Sequence, residues 1–265
     1  MEPNSTSKVE NAVRPNRKKV YRQHNAQGKS KKINFTKTNF NVKLDKRTLL
    51  NNLNIFINGL VGGIAFSLGA VAFLSVNNKY MGSALFTVGM VIIFAYGFGL
   101  YTSKVGYCLK NNKEQNLMLI PIWLGNLVGA ILVGGIFRLT RTQISDTLIS
   151  RANQLSGEKF ADNIGGILIL SIFCGFLMFI ATDSFKNAKN AAQKYITLFL
   201  TVMVFLLCDF EHFTSSAFFF TIGGAFTLKA FWYLIIMSIG NTLGALIIPA
   251  CHLGVIYIRS QADKN

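Results

Sequence analysis

Charge is scarce in this sequence: 14% of its 265 residues are Asp, Glu, Lys or Arg, whereas soluble domains carry about 25%. Four long stretches contain no charged residue: Leu53–Ser75, Gly82–Ser103, Leu117–Phe137 and Asn163–Thr182. An apolar run of about 20 residues can cross a bilayer core as a helix, and a soluble helix of that length would keep a polar face. The stretches therefore exclude an ordinary soluble domain and indicate an all-α integral membrane protein in a lipid bilayer.

Cysteine is also sparse, and its spacing offers no site. Cys108, Cys174, Cys208 and Cys251 lie far apart, without a Cys-x-x-Cys pair or a histidine at metal-ligand spacing. Three of the four stand in apolar runs, where a free cysteine behaves as a small hydrophobic residue. We expect no disulfide, no metal and no cofactor.

The charge that is present is mostly positive and lies outside the apolar runs. The net charge is +16, and residues 1–50 hold 13 of the 27 Lys and Arg. No nucleic-acid motif or interleaving of aromatic and basic residues accompanies them, so we expect no nucleic-acid partner. Residues 1–47 are predicted to form a disordered, basic cytoplasmic tail, because such a composition buries too little apolar surface to fold.

Residues 48–259 are predicted to form a transport domain of six membrane spans, followed by a cytoplasmic tail at 260–265. The predicted spans are Leu53–Ser75, Gly82 to about Cys108, Leu117–Phe137, Ile164–Thr182, Tyr195–Leu228 and Phe231–Ile258. With the N-terminus inside, the inner loops hold 14 basic residues and the outer loops, which include residues 138–163, hold 6. Because basic residues favour the cytoplasmic side, both termini are predicted to be cytoplasmic, in the cell membrane.

The second and fifth spans are predicted to be broken helices. Asp209, Glu211 and His212 interrupt the fifth, and ionisable groups at membrane depth must face protein or a cavity. Gly97, Gly99 and Gly106 surround a milder interruption of the second. Non-helical backbone is tolerated at this depth only beside protein or water.

The chain also repeats itself. Gly125–Ala130 and Gly240–Ala245 both read GNxxGA, each following a broken span. Three spans in each half give the halves opposite orientations, so the sequence predicts two inverted three-helix repeats, an aquaporin-like architecture.

These features resemble the formate/nitrite transporter family over roughly Thr48 to Arg259. The resemblance rests on Phe210-Glu211-His212, on Leu100-Tyr101-Thr102-Ser103, and on the two GN-containing spans. It implies a homopentamer with one pore in each protomer.

The resemblance also implies the residues of the pore. His212 and Thr102 would flank its centre, and Lys159 would attract anions at the outer entrance. Apolar constrictions would be formed by Phe86, Met90, Leu100, Met178 and Phe205. The chain departs from the family pattern at Ser216 and Gly175, where asparagine is frequent, and at Lys104, where a small neutral residue is common.

Plainer interpretations stand beside these. His212 can be a structural hydrogen-bonding group, Thr102 an N-cap, and Lys159 a solvated loop residue. Asp209 and Glu211 are better explained as caps or loop anchors than as acid catalysts. Asn126 and Asn241 are expected to brace the broken segments.

We expect a channel or transporter for small monovalent anions or their weak acids (formate, nitrite, hydrosulfide or a short carboxylate), with proton exchange at His212. The alternatives are a neutral-solute channel of the aquaporin type, although no paired Asn-Pro-Ala is present, and a membrane enzyme. The sequence shows no catalytic constellation, so no enzymatic activity is expected.

Overall fold

The computed structural model describes residues 46–140 and 143–263, and all regular structure in these ranges is helical. The helices are α1 (Lys46–Leu74), α2 (Lys79–Tyr96), α3 (Tyr101–Val105), α4 (Lys113–Leu117), α5 (Leu119–Leu139), α6 (Gln143–Ala161), α7 (Ile164–Asn187), α8 (Ala191–Leu207), α9 (Phe213–Ile222) and α10 (Leu228–Ala262). Five described segments are long and apolar enough to span a membrane: α1, α2, α4 with α5, α7, and α10. The all-helical membrane class is therefore confirmed.

One predicted boundary lies outside the described residues, and another differs from the structure. The N-terminal tail predicted over residues 1–47 falls outside the described residues as far as residue 45. At the other end, α10 continues to Ala262, so the C-terminal tail predicted from residue 260 begins as helix.

Both interruptions in the apolar helices have a local backbone cause. Helix α2 ends at Gly97, whose φ of 73° is a left-handed conformation that glycine adopts without steric cost. The chain then runs extended through Leu100 into α3. In the second interruption Asp209 has a φ of 53°, and aspartate is among the few other residues that tolerate it. The chain is extended again at His212, where α9 begins.

The two halves of the chain make equivalent contacts. Helix α1 packs on α5 and α2, while α7 packs on α10 and α8. Glycine permits the closest of these approaches: Gly63 lies against the backbone of Asn126, and Gly175 lies against the backbone of Asn241. Helices α2 and α8 contact each other and join the halves.

Residues 138–163, predicted as an outer loop, contain α6 instead. Its polar composition lacks the apolar run that marks the membrane spans, but the helix packs against α9 and α1. Arg151 on α6 donates to the carbonyl oxygens of Leu74 and Val76. It thereby satisfies acceptors that the end of α1 leaves without intrahelical partners.

Substitution of Gly175 by alanine should separate α7 from α10. An added Cβ would overlap the Asn241 carbonyl oxygen, and overpacking of this kind costs about 1–3 kcal/mol. We expect a lower melting temperature for the detergent-solubilised protein. Gly135→Ala is the matched control, because nothing lies within 4 Å of its added Cβ and alanine favours the helix. Equal melting temperatures for the two variants would contradict the prediction.

Candidate functional site

His212 is fully buried at the start of α9, between the two helix interruptions. The backbone N–H of Thr214 donates to its Nδ1 at 3.2 Å. Since Nδ1 is thus an acceptor, the proton of the neutral ring lies on Nε2, which donates to Thr102 Oγ1 at 2.9 Å. Thr102 keeps its own hydroxyl proton for another acceptor. The structure therefore brings together the two residues predicted for the pore centre.

Aromatic rings surround the imidazole. Phe66 stacks on it with ring centroids 4.3 Å apart, and the ring of Phe205 lies 6.2 Å away. Phe86 makes edge contacts with both phenylalanines, at 5.0 and 5.5 Å. Phe66 was absent from the sequence prediction, because a phenylalanine in an apolar span carries no signal of which neighbour it contacts.

The residues predicted to form apolar constrictions are all buried in one hydrophobic core. They are Phe86, Met90, Leu100, Met178 and Phe205, and none is more than 1% exposed. With Phe66, Phe205 gives the His212 ring an apolar surrounding.

Asn126 holds the first interruption in place from α5. Its side-chain oxygen accepts from the backbone N–H of Tyr101 at 2.8 Å, while its nitrogen donates to the carbonyls of Gly59 and Gly99, each at 2.7 Å. The asparagine thus pairs backbone groups on both sides of the interruption and ties them to α1.

Asn241 does the same for the second interruption from α10. Its oxygen accepts from the backbone N–H of Phe213 at 3.2 Å, and its nitrogen donates to the carbonyls of Ser171 and Glu211 at 2.9 and 2.8 Å. The two asparagines of the GNxxGA segments therefore play one role twice, and each fixes the start of a half-helix.

Lys159 and Glu211 form a bidentate ion pair beside His212. The Lys159 ammonium lies 2.6 and 2.7 Å from the two carboxylate oxygens, and the side chains are only 12% and 5% exposed. The Ser216 hydroxyl donates to the same carboxylate at 3.1 Å. Spacing along the chain gave no indication of this pairing, because α6 brings Lys159 to Glu211 across 52 residues.

Lys104 lies away from these contacts. It lines a cavity of about 520 Å³ together with Lys186, Tyr107 and Asn58. The Lys186 ammonium lies 3.9 Å from the centre of the Tyr107 ring, and the Tyr107 hydroxyl donates to Asp183 at 3.1 Å. By the predicted orientation this cavity is on the cytoplasmic side, where its two ammonium groups would favour an anion.

No group of three or more His, Cys, Asp or Glu side chains converges on a metal-sized position in residues 46–140 and 143–263. The polar groups around the His212 imidazole are hydroxyls, backbone groups and the Lys159–Glu211 ion pair, whose two charges balance.

Comparison with known proteins identifies relatives of this chain. The family profile described as "Formate/nitrite transporter" matches residues 37–255. The transporter YrhG of Bacillus subtilis is 25% identical over 234 residues, which are 80% of this chain and 86% of that protein. The formate channel FocA of Escherichia coli K12 is 24% identical and covers 76% of this chain and 75% of its own length.

An amoebal relative and a solved structure also match. The formate-nitrite transporter of Entamoeba histolytica is 25% identical over 66% of this chain, which spans about half (53%) of that protein. A pentameric formate channel with formate bound superimposes with a TM-score of 0.66 at 20% identity, covering 79% of this chain and 98% of that chain. This likeness shows a shared fold.

Replacement of Glu211 by glutamine should destabilise the protein, because it leaves the Lys159 ammonium buried without its carboxylate. Breaking one side of a buried ion pair costs about 3–5 kcal/mol. The matched control is Asp209→Asn, which removes a carboxylate paired with Lys79 at the surface, where ion pairs contribute little. We expect a large fall in the detergent melting temperature only for Glu211→Gln, partly restored in Lys159→Met/Glu211→Gln. A similar fall for Asp209→Asn would count against the buried pair.

Proposed function

This chain belongs to the formate/nitrite transporter family, and we propose that it passes small monovalent anions, or their weak acids, through a pore in each protomer. Formate, nitrite, hydrosulfide and short carboxylates are the candidate substrates. The observation that carries the proposal is the hydrogen bond between His212 and Thr102, buried among phenylalanines where the two helix interruptions meet. The names of the formate channel and formate-nitrite transporter relatives support the substrate class.

The surroundings of His212 favour passage of the neutral acid. An anion that passes between phenylalanine, leucine and methionine side chains loses its hydration without gaining a compensating charge. A weak acid avoids this cost by taking a proton at the centre. Histidine is suited to deliver it, because its ordinary pKa lies nearest to neutrality among the side chains.

The hydrogen bonds suggest the direction of proton transfer. A second proton on the imidazole must occupy Nδ1, which breaks the bond from the Thr214 amide. The resulting imidazolium can pass its Nε2 proton to Thr102, whose hydroxyl proton moves to the anion, so that neutral His212 and a neutral acid result. The neutral ring left by this transfer carries its proton on Nδ1, and the Thr214 bond re-forms only when that proton is exchanged for one on Nε2. Because charging the ring costs this bond, the histidine donates protons rather than storing them.

Lys159 is proposed to lie at the outer entrance and to attract anions there less strongly than an unpaired lysine would. Its charge is balanced by Glu211 in the structure, so an approaching anion meets a neutral pair with ammonium protons at its edge. The anion then competes with the Glu211 carboxylate for the Lys159 ammonium, which limits how tightly the entrance holds the anion.

The finer architecture follows from the equivalent contacts of the two halves. We propose that α2 with α3, and α8 with α9, each count as one interrupted span, which gives six spans in two inverted repeats of three. Five protomers would assemble as in the pentameric formate channel of similar fold. The protein would lie in the cell membrane with both termini in the cytoplasm.

The topology is tested by a reporter fused after Asn265. Basic residues are concentrated in loops on the side of the termini, and such loops remain cytoplasmic. We expect a reporter that requires the cytoplasm to be active there, and one that requires export to be silent. An active exported reporter at Asn265, with the cytoplasmic one silent, would refute the proposed six-span topology with a cytoplasmic C-terminus.

The relay is tested by His212→Asn in reconstituted proteoliposomes. Asparagine keeps a polar side chain but cannot titrate, so formate uptake should lose its dependence on a group near neutral pH, leaving no uptake or a pH-insensitive anion leak. The variant should still assemble, as judged by size-exclusion chromatography. A wild-type pH profile in assembled His212→Asn would eliminate the relay and leave His212 a structural role.

A further inference from the structure

A second buried hydroxyl belongs to Thr214, whose backbone contacts His212, and it has no hydrogen-bond partner among the residues that the structure describes. Thr214 is fully buried in the first turn of α9, and its Oγ1 makes no hydrogen bond within the described part of the chain. Buried polar side chains nearly always have a partner, and each exception requires a physical explanation.

The hydroxyls around Thr214 show that the local helix does not cause this exception. Ser215 donates to the His212 carbonyl at 3.0 Å, Ser216 donates to Glu211, and Thr221 donates to the Ala217 carbonyl at 2.8 Å. A helical threonine usually donates to a carbonyl three or four residues earlier. For Thr214 both of these carbonyls, on Glu211 and Phe210, lie in the helix interruption, and the one on Glu211 already accepts from Asn241.

The equivalence of the two half-helices identifies where this hydroxyl belongs. Ser103 donates to the Leu100 carbonyl at 2.8 Å, just as Ser215 donates to that of His212. The backbone N–H groups of Tyr101 and Phe213 likewise meet corresponding asparagines. Thr102 and Thr214 are therefore counterparts, each the second residue of its half-helix.

The same equivalence explains why only one of the two threonines is paired. Thr102 reaches across to His212 on the opposite half-helix. The residue at the corresponding place on the first half-helix is Leu100, since Leu100 and His212 both immediately precede their half-helices. Thr214 thus occupies the position from which its counterpart reaches a histidine, but the residue equivalent to that histidine is Leu100, whose side chain offers no acceptor.

We propose that the Thr214 hydroxyl binds the transported anion opposite Thr102, so that the pore centre selects oxyanions with two acceptor oxygens. One oxygen of formate or nitrite would accept from Thr102 and the other from Thr214. Two hydroxyls spaced for the two oxygens of formate or nitrite fit a monatomic anion such as chloride less well, because chloride offers a single acceptor centre. This inference rests on the proposed function, since it requires that substrate passes between the two threonines.

The test compares Thr214→Val with wild type in proteoliposomes, by the KM for labelled formate and by inhibition with nitrite or chloride. Valine keeps the shape of threonine and removes only the hydroxyl. Loss of one hydrogen bond to a charged ligand weakens binding about tenfold. We expect the formate KM to rise about tenfold, and the preference for nitrite over chloride as inhibitor to fall by a similar factor. Thr214→Ser should restore both values.

Stability gives an independent readout, because a merely structural hydroxyl would behave differently. Removing an unpaired buried hydroxyl relieves a desolvation cost, so Thr214→Val should melt no lower than wild type. Thr221→Val is the control on the same helix and should leave the formate KM and the nitrite preference unchanged. A melting temperature well below wild type, with unchanged KM, would identify a structural role and overturn the inference.

The possible failures are separable. If wild-type proteoliposomes take up neither formate nor nitrite, the proposed function falls and the inference falls with it. If wild type transports both and Thr214→Val keeps the wild-type KM and inhibitor preference, only the role of Thr214 is refuted.

Discussion

The structure depends on how two asparagines satisfy the backbone groups that the helix interruptions leave unpaired. An unpaired N–H or carbonyl at membrane depth is costly, since no water is present to bond it. Asn126 and Asn241 each pair one N–H and two carbonyls across an interruption. Without these bonds the chain would have to remain helical through Leu100 and His212. The histidine would then point from a continuous helix instead of meeting Thr102 across the gap.

The asparagines can act this way only because their helices lie unusually close to the neighbouring ones. Gly63 and Gly175 allow the backbones of Asn126 and Asn241 to approach, so a short amide side chain reaches both the neighbouring helix and the interruption. In lipid, such packing replaces the hydrophobic effect as the source of helix association. Glycine and asparagine thus act together to hold the neighbouring helix and the interruption. A larger residue at either place weakens both packing and hydrogen bonding.

The sequence predicted the elements of this arrangement better than its contacts. Apolar runs and glycines located the interruptions, and the duplicated GNxxGA pointed to a repeated structure, because these signals are local in the chain. Helix α6 was missed because its polar sequence resembles a loop and its stability comes from packing on α9. The pairing of Lys159 with Glu211 and the stacking of Phe66 on His212 were equally invisible. Both join distant segments, and their residue types are common in unrelated roles.

The two halves share the residues that shape the backbone and differ in those that carry the chemistry. Asparagine, serine and threonine recur at equivalent places, but His212 corresponds to Leu100 and Glu211 corresponds to Gly99. A second histidine at Leu100 would place a second titratable group in the same apolar space, and repulsion would oppose charging both. In the proposed relay one histidine instead carries one proton at a time, while the duplicated scaffold places Thr102 and Thr214 in the first turns of the two half-helices beside it. The proposed function therefore resides in the departures from the repeat, and the repeat supplies the geometry that makes those departures useful.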